Sequence, residues 1–356
     1  MVNPDPSFWS RQRVFLTGHT GFKGAWLTLW LQHLGAKVFG LALPPDTLPN
    51  LFDILQPLPL LNSDFGDIRD LAIVKDAVRN ANPTLAIHMA AQPLVRRSYR
   101  EPLDTFATNI MGTGNVMEAL RASADLKAIL AITTDKVYAN HGEERAFVEN
   151  DRLGGEDPYS ASKAGAELAV QCWVFSFFKN TGVKIATVRA GNVIGGGDWS
   201  EDRLVPDVWR AVHANVPPKL RYPDATRPWQ HVLDALHGYL LYAQMLGNDG
   251  GNIPTALNIG PLPNDTLKVC EVVDTLLAAF GAGFGWDYDK PTEMVEMKYL
   301  ALDPTLAIER LGWKPRLTAR EALAWSVEWY RAFDQRADAR GLALDQIKRY
   351  QLLNSE

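Results

Sequence analysis

The sequence predicts an α/β fold, a doubly wound parallel sheet with a smaller C-terminal α/β lobe, on three observations. Short β-branched or apolar runs alternate with amphipathic stretches through the first half of the chain, the pattern of repeated right-handed βαβ units. The runs are almost wholly apolar, as strands must be when helices cover both faces of a sheet. The first run also passes through a glycine-rich turn straight into a helix, the opening of a Rossmann-type sheet.

The strands expected in order are Arg13–Thr17, Lys37–Leu41, a third region before Asp67, Leu85–Ala90, Ala128–Thr133 and Lys184–Arg189. Between them the apolar spacing predicts helices near 22–34, 70–80, 104–123 and 159–179. Past residue 190 the alternation loosens into Gly/Pro-rich loops (195–198, 217–228, 248–254) and single helices. Residues 1–190 are therefore read as the dinucleotide-binding domain. Residues 191–356 are read as mainly a substrate-binding lobe, interleaved with the first domain over the sheet's C-terminal edge, where open α/β folds bind ligands.

Composition narrows the function class. The net charge of −5 comes with no Lys/Arg block of five or more, which argues against a nucleic-acid or polybasic membrane partner. The most apolar early segment, Ala25 to Leu34, is interrupted by Gln32 and His33 and is too short to span a bilayer. No apolar signal core precedes the first strand, so the chain is read as cytoplasmic. Cys172 and Cys270 lack metal-type spacing and are read as two buried, reduced thiols.

The turn Gly18-His19-Thr20-Gly21-Phe22-Lys23-Gly24 spaces its glycines for dinucleotide binding. Gly18 permits a tight turn, Gly21 lets the backbone approach a pyrophosphate, and Gly24 allows close helix–strand packing. The pyrophosphate then meets free N–H groups at the positive end of the helix. Asp67-Ile68 stands where a carboxylate would lie by the adenine, and Ala90-Ala91-Gln92 where small residues would pass the nicotinamide ribose. The end of the second strand, 40–45, has neither the acidic residue that usually holds the adenosine 2′-hydroxyl nor an Arg to accept a 2′-phosphate, and NAD is expected over NADP.

Tyr159 and Lys163 form a Y-x-x-x-K pair on one helical face, after Asp157-Pro158 as a helix start. A free phenol titrates near ~10; a neighbouring ammonium and a positive nicotinamide ring both favour its phenolate. The strand that ends at Thr133-Thr134 can supply a hydroxyl beside Tyr159. Asp135 and Lys136 follow at the same sheet edge. Two further titratable groups there imply proton transfers beyond one oxidation, such as taking a proton from carbon and giving one to a leaving hydroxyl.

The motifs at 18–24, 91–96, 134–136, 157–163, 189–199 and 227–232 together resemble the CDP-glucose 4,6-dehydratases, a branch of the extended short-chain dehydrogenase/reductase superfamily, over roughly residues 12 to 330. Related dTDP- and GDP-sugar dehydratases look like Thr-Asp-Glu where this chain has Thr-Asp-Lys. The resemblance implies a lyase of deoxysugar and lipopolysaccharide O-antigen biosynthesis that keeps one NAD throughout. Tyr159, helped by Thr134 and Lys163, would accept the sugar 4-hydroxyl proton during oxidation at C4. Lys136 and Asp135 would take the C5 proton and protonate the leaving 6-hydroxyl, and the hydride would return to C6.

The same resemblance adds Asn109 and Thr133 to the cofactor contacts, and assigns Asn192, Arg203, Leu204, Arg227 and His231 to the nucleotide sugar. Guanidinium forks suit a diphosphate. One departure from the family is the stretch 137–149, usually rich in tryptophan and here without any; if it touches the sugar or base, a different natural hexose or nucleotide is expected.

Two alternatives stay open: a nucleotide-sugar 4-epimerase or dehydrogenase that leaves Asp135 and Lys136 idle, and a non-catalytic NAD-binding regulator. Apolar positions on the helices at 104–122 (Phe106, Ile110, Met117, Leu120) and 159–179 (Leu168, Cys172, Phe175) predict a homodimer or homotetramer.

Overall fold

The computed structural model describes residues 2–55, 61–142, 144–248, 251–290 and 299–353. Residues 249–250 of the 248–254 loop and Glu143 of the 137–149 stretch lie outside the described residues. Seven strands form one parallel sheet: β1 (Arg13–Thr17), β2 (Lys37–Ala42), β3 (Leu61–Phe65), β4 (Leu85–His88), β5 (Ala128–Ile132), β6 (Lys184–Ala190) and β7 (Ala256–Ile259). Their order is β7-β6-β5-β4-β1-β2-β3. The chain turns back between β1 and β4, where Val14 pairs Leu85 and Thr17 pairs His88. That reversal opens a crevice beyond the strands' carboxyl ends.

β3 (Leu-Asn-Ser-Asp-Phe) escapes a hydrophobic search because it is the edge strand and four of its five residues are exposed. β7 is short, yet it completes the sheet by pairing with β6 from Ala256↔Thr187 to Ile259↔Ala190. The chain beyond residue 190 thus returns to the central sheet.

Each sheet face carries its own apolar core. One is built with α1 (Phe22–His33) and later helices around Trp26, Trp30, Leu236 and Leu240. The other packs α2 (Leu71–Ala81), α4 (Gly112–Leu120) and α5 (Pro158–Trp173) through Val74, Met117, Leu120 and Val170. α3 (Pro102–Phe106) runs into α4 through a π-helical turn, Ala107–Met111. Among the described residues, no helix is long and apolar enough to cross a membrane.

After residue 190 come α6 (Leu204–His213), α7 (Val232–Gly247), α8 (Val269–Phe280), α9 (Ala319–Asp334) and α10 (Ala339–Leu352). The final helix is integrated. The Tyr350 hydroxyl donates to Asp234 of α7 at 2.6 Å, and its ring meets Trp30 of α1 edge-on.

The expectation of two buried thiols is overturned. Cys172 is exposed and Cys270 half-buried, and both are free. Cys172 shares the outward face of α5 with exposed Leu168, while Glu167 is fully buried. A polar residue inside had disguised which face looks inward.

Candidate active site

β1 ends at Thr17 and the chain turns through Gly18 at φ +79°, where a Cβ would press on the Ala90 backbone at 2.8 Å. A Cβ on Gly24 would run into the Gly18 carbonyl, so these two glycines are demanded by the protein's own packing. Gly21 differs. It is exposed, and the nearest atom to an added Cβ is 3.6 Å away. Nothing in the chain requires a glycine there, which fits a backbone kept bare for a ligand.

α1 begins at the next residue with no side-chain cap and no acidic residue in its first turn. Its free N–H groups and dipole suit an anion such as a dinucleotide pyrophosphate. Lys23 in that turn has its ammonium 5.8 Å from the Tyr239 ring centre. Burial, with Arg203 and Lys163 nearby, lowers its pKa to about 8.

The remaining expected cofactor positions gather around this turn. His19 is buried with Nε2 2.7 Å from the Ser63 hydroxyl, and burial pushes its pKa down to about 4. Gly40 gives the His19 ring its space. The Thr20 hydroxyl donates to the Leu43 carbonyl. Asp67 is held below the ordinary carboxylate range by Arg69, which donates to it, and Ile68 is buried beneath Gly112. Asn109 clamps the Gln92 backbone: its Oδ1 accepts from Gln92 N at 2.8 Å and its Nδ2 donates to Gln92 O at 3.1 Å. The Gln92 side chain donates to the Thr105 hydroxyl and to Leu94 O. Ala90 and half-buried Ala91 lie between these anchors and Gly18.

α5 opens as the sequence indicates, with Asp157 accepting from Ser160 N and Pro158 at the first position. Tyr159 N donates to the Ser98 hydroxyl, tying the helix start to the short helix Val95–Arg100. Tyr159 is buried, and burial pushes its phenol up to about 12; Arg203 and a hydrogen bond with Thr134 act the other way. Lys163 is also buried and donates to the Ile132 carbonyl at 2.9 Å. Burial lowers its pKa to about 8.

Thr134 starts a 3₁₀ turn, Asp135–Val137, and its hydroxyl donates to Asp135 Oδ1 at 2.8 Å. Asp135 is 2% exposed, and its Oδ2 has no hydrogen-bond partner among the described residues. Burial raises its pKa, opposed first by Lys136 and also by Arg227. A buried, partly unsatisfied carboxyl biased toward its protonated form is suited to proton donation. Lys136, beside it, is half-buried.

Arg203, the N-cap residue of α6, acts electrostatically on both Tyr159 and Lys23 and donates to Pro93 O. Leu204 is the first residue of α6. Arg227 is buried and acts on Asp135. Half-buried Asn192 accepts from Gln230 N through its carbonyl. His231 is enclosed: its Nδ1 caps α7 by accepting from Leu233 N, and burial drops its pKa to about 3. Thus Tyr159, Lys163, Thr134, Asp135, Arg203 and Arg227 share one neighbourhood with the glycine turn, while His231 serves a helix end.

Within the 137–149 stretch, several described residues pack against the chain itself. The Tyr138 and Phe147 rings stack at 4.9 Å, Arg145 pairs with Asp151, and Phe147 bridges to Leu302. Sequence reasoning passed over Ser98, Tyr239 and Glu167. Glu167 alone left a trace, lying four residues after Lys163 and eight after Tyr159 on one helical face.

The sequence profile of the NAD dependent epimerase/dehydratase family matches residues 14–260. The chain is 43% identical over 334 residues to the CDP-glucose 4,6-dehydratase of Salmonella typhimurium, covering 92% of this chain and 93% of the relative. It is 28% identical to a dTDP-glucose 4,6-dehydratase of Xanthomonas campestris pv. campestris, over 88% of this chain and 92% of that one. Among solved structures, an epimerase from Methanothermobacter thermautotrophicus superposes with TM-score 0.81 at 19% identity, covering 92% and 96% of the two chains. A dTDP-glucose 4,6-dehydratase double mutant from Streptomyces venezuelae, solved with NAD bound, gives 0.77 at 23%, covering 91% and 98%. At these identities the structural likeness is one of fold.

Proposed function

The chain belongs to the NAD dependent epimerase/dehydratase family, and we propose that within it this protein is an NAD-dependent 4,6-dehydratase of CDP-glucose, yielding the 4-keto-6-deoxy sugar nucleotide. The observation that carries this reading is Asp135, buried with one oxygen unpaired among the described residues, next to Lys136 and acting on Tyr159. A 4-epimerase would have work for Tyr159 and Lys163 and none for the other two. The 43% identity to a curated CDP-glucose 4,6-dehydratase supports the same nucleotide and hexose.

The uncapped start of α1 and the bare backbone at Gly21 would hold the NAD pyrophosphate. When bound, NAD supplies a reversible hydride acceptor and a positive ring beside the phenol. Tyr159 takes the 4-hydroxyl proton, with Thr134 favouring its phenolate and Lys163 one helical turn further along the same face. The 4-ketone acidifies C5; Lys136 removes that proton while Asp135, biased toward its acid form, protonates the departing 6-hydroxyl. Arg203, which acts on Tyr159, and Arg227, which acts on Asp135, would pair with the substrate diphosphate.

The functional unit is a homodimer or larger. Phe106, Met111, Leu168 and Phe175 are exposed around the helices of residues 102–120 and 158–178, and form the contact. Met117 and Leu120, grouped with them on periodicity, belong to the chain's own core. The setting is cytoplasmic, which the two free cysteines fit.

Incubation with CDP-glucose and NAD, followed by mass spectrometry, tests the reading. Loss of one water from the sugar nucleotide is expected. An unchanged mass with an inverted 4-hydroxyl would replace it with epimerisation. Tight NAD binding without turnover of any sugar nucleotide would make the chain a regulator.

A further inference from the structure

Glu167 is buried at 0% exposure in the helix that carries Tyr159 and Lys163. Its Oε1 accepts from the Thr133 hydroxyl at 2.6 Å and Arg189 Nε at 2.9 Å. Its Oε2 accepts from the Thr187 hydroxyl at 2.7 Å and Arg189 Nη2 at 2.9 Å. Arg189 Nη1 continues outward to the Tyr138 hydroxyl at 2.8 Å and Glu149 O at 2.9 Å.

A buried ion pair is a poor source of net stability, since desolvating two charges offsets most of their attraction. A well-packed apolar pair would hold α5 against β6 at least as well. What an apolar pair would not provide is a fixed negative charge one helical turn from Lys163, and a grip on Thr133, the residue between the Lys163 acceptor Ile132 and Thr134. We propose that Glu167 is a positioning residue of the reaction: it is the buried counter-charge that keeps Lys163 an ammonium, and it fixes the β5 end that presents Thr134 and Asp135. This deepens, and rests on, the dehydratase reading.

Among the described residues, the charged and titratable groups that act on Lys163 are Glu167 from its own helix, which also carries Tyr159 one turn before it, His88 from β4 and Lys23 from α1, with Arg189 of β6 behind Glu167. His88 is held neutral by burial, at about 3. Lys23 repels the Lys163 proton, so Glu167 is the group that favours it.

The test reads the ammonium itself. The full chain is labelled with lysine carrying ¹³C at Cε, and the Lys163 resonance, assigned with Lys163→Arg, is titrated by NMR in wild type, Glu167→Gln and Glu167→Gln/Arg189→Met. The double variant leaves no orphaned buried cation and keeps the measurement possible if the single variant folds poorly. In Glu167→Gln the Lys163 midpoint is expected to fall by about one pH unit, and in the double variant by a smaller amount in the same direction, because loss of the more distant Arg189 charge offsets part of the change. The high-pH loss of kcat should fall with it at nearly constant KM, and Glu167→Asp should restore part of both. An unmoved midpoint overturns the proposal whatever the activity. A dehydratase reading that fails is recognised separately, by a wild type that releases no water from CDP-glucose.

Discussion

The Thr134 hydroxyl donates to Asp135 Oδ1 at 2.8 Å, while the carboxyl's other oxygen is buried and has no hydrogen-bond partner among the described residues. Two adjacent residues thereby act on different groups: Thr134 lowers the Tyr159 phenol against burial, and Asp135 is itself pushed toward its acid form.

Asp135→Asn retains the acceptor for Thr134 and removes the transferable proton. A loss of kcat of roughly 10²–10⁴-fold is expected, with NAD affinity preserved, as read by steady-state kinetics and fluorescence titration. Lys136→Ala should abolish exchange of the C5 proton with solvent, followed by deuterium incorporation. Unchanged exchange would remove Lys136 from the mechanism.

The glycines of the turn separate by cause. Gly21→Ala has room in the protein and should leave the melting temperature within a degree or two while weakening NAD binding at least about tenfold. Gly24→Ala meets the Gly18 carbonyl and should lower stability by about 2 kcal/mol or more, together with NAD binding. Equal behaviour of the two variants would show that Gly21 is not kept bare for the pyrophosphate.

Asp234 predicts a pH dependence of stability. Burial raises its pKa to about 7. Between the ordinary carboxylate range and that value, the folded chain holds a proton that the unfolded chain has released. Its contribution is therefore complete at low pH and is lost as pH rises, by at most about 1.4 kcal/mol per pH unit across the window. Asp234→Asn keeps an acceptor for Tyr350 and Arg316 N, and should flatten that decline in thermal melts between pH 5 and pH 7.5, on the order of the window just given.

Leu168→Glu combined with Phe175→Glu places charges on the exposed face of the α5 region. Sedimentation should show monomers, with CD spectra unchanged. A dimer that survives would move the contact elsewhere.

Much of this was legible in the residues, for physical reasons. The apolar interior strands and the glycine turn report themselves because burial on both faces and close backbone packing admit few alternatives. Tyr159 and Lys163 were legible because a helix puts residues four apart on one side. The edge strand β3 was not, since exposure leaves its polar residues unconstrained. Glu167 was hidden because its place inside depends on Arg189 and Thr187 of β6, 22 and 20 residues further along the chain. The capping role of His231 was hidden likewise, being set by the geometry at the head of α7. The same long-range dependence misled the reading of Cys172.

The pairing of β7 with β6 has a consequence for synthesis. A ribosome makes the glycine turn, the Tyr159 helix, six strands and α7 before it reaches Ile259, so the nascent sheet waits with the β6 flank unpaired. Such an intermediate is a target for chaperones and for strand-edge aggregation. Expression at lower temperature should improve recovery of the full chain, and a fragment ending near residue 190 should be recovered poorly.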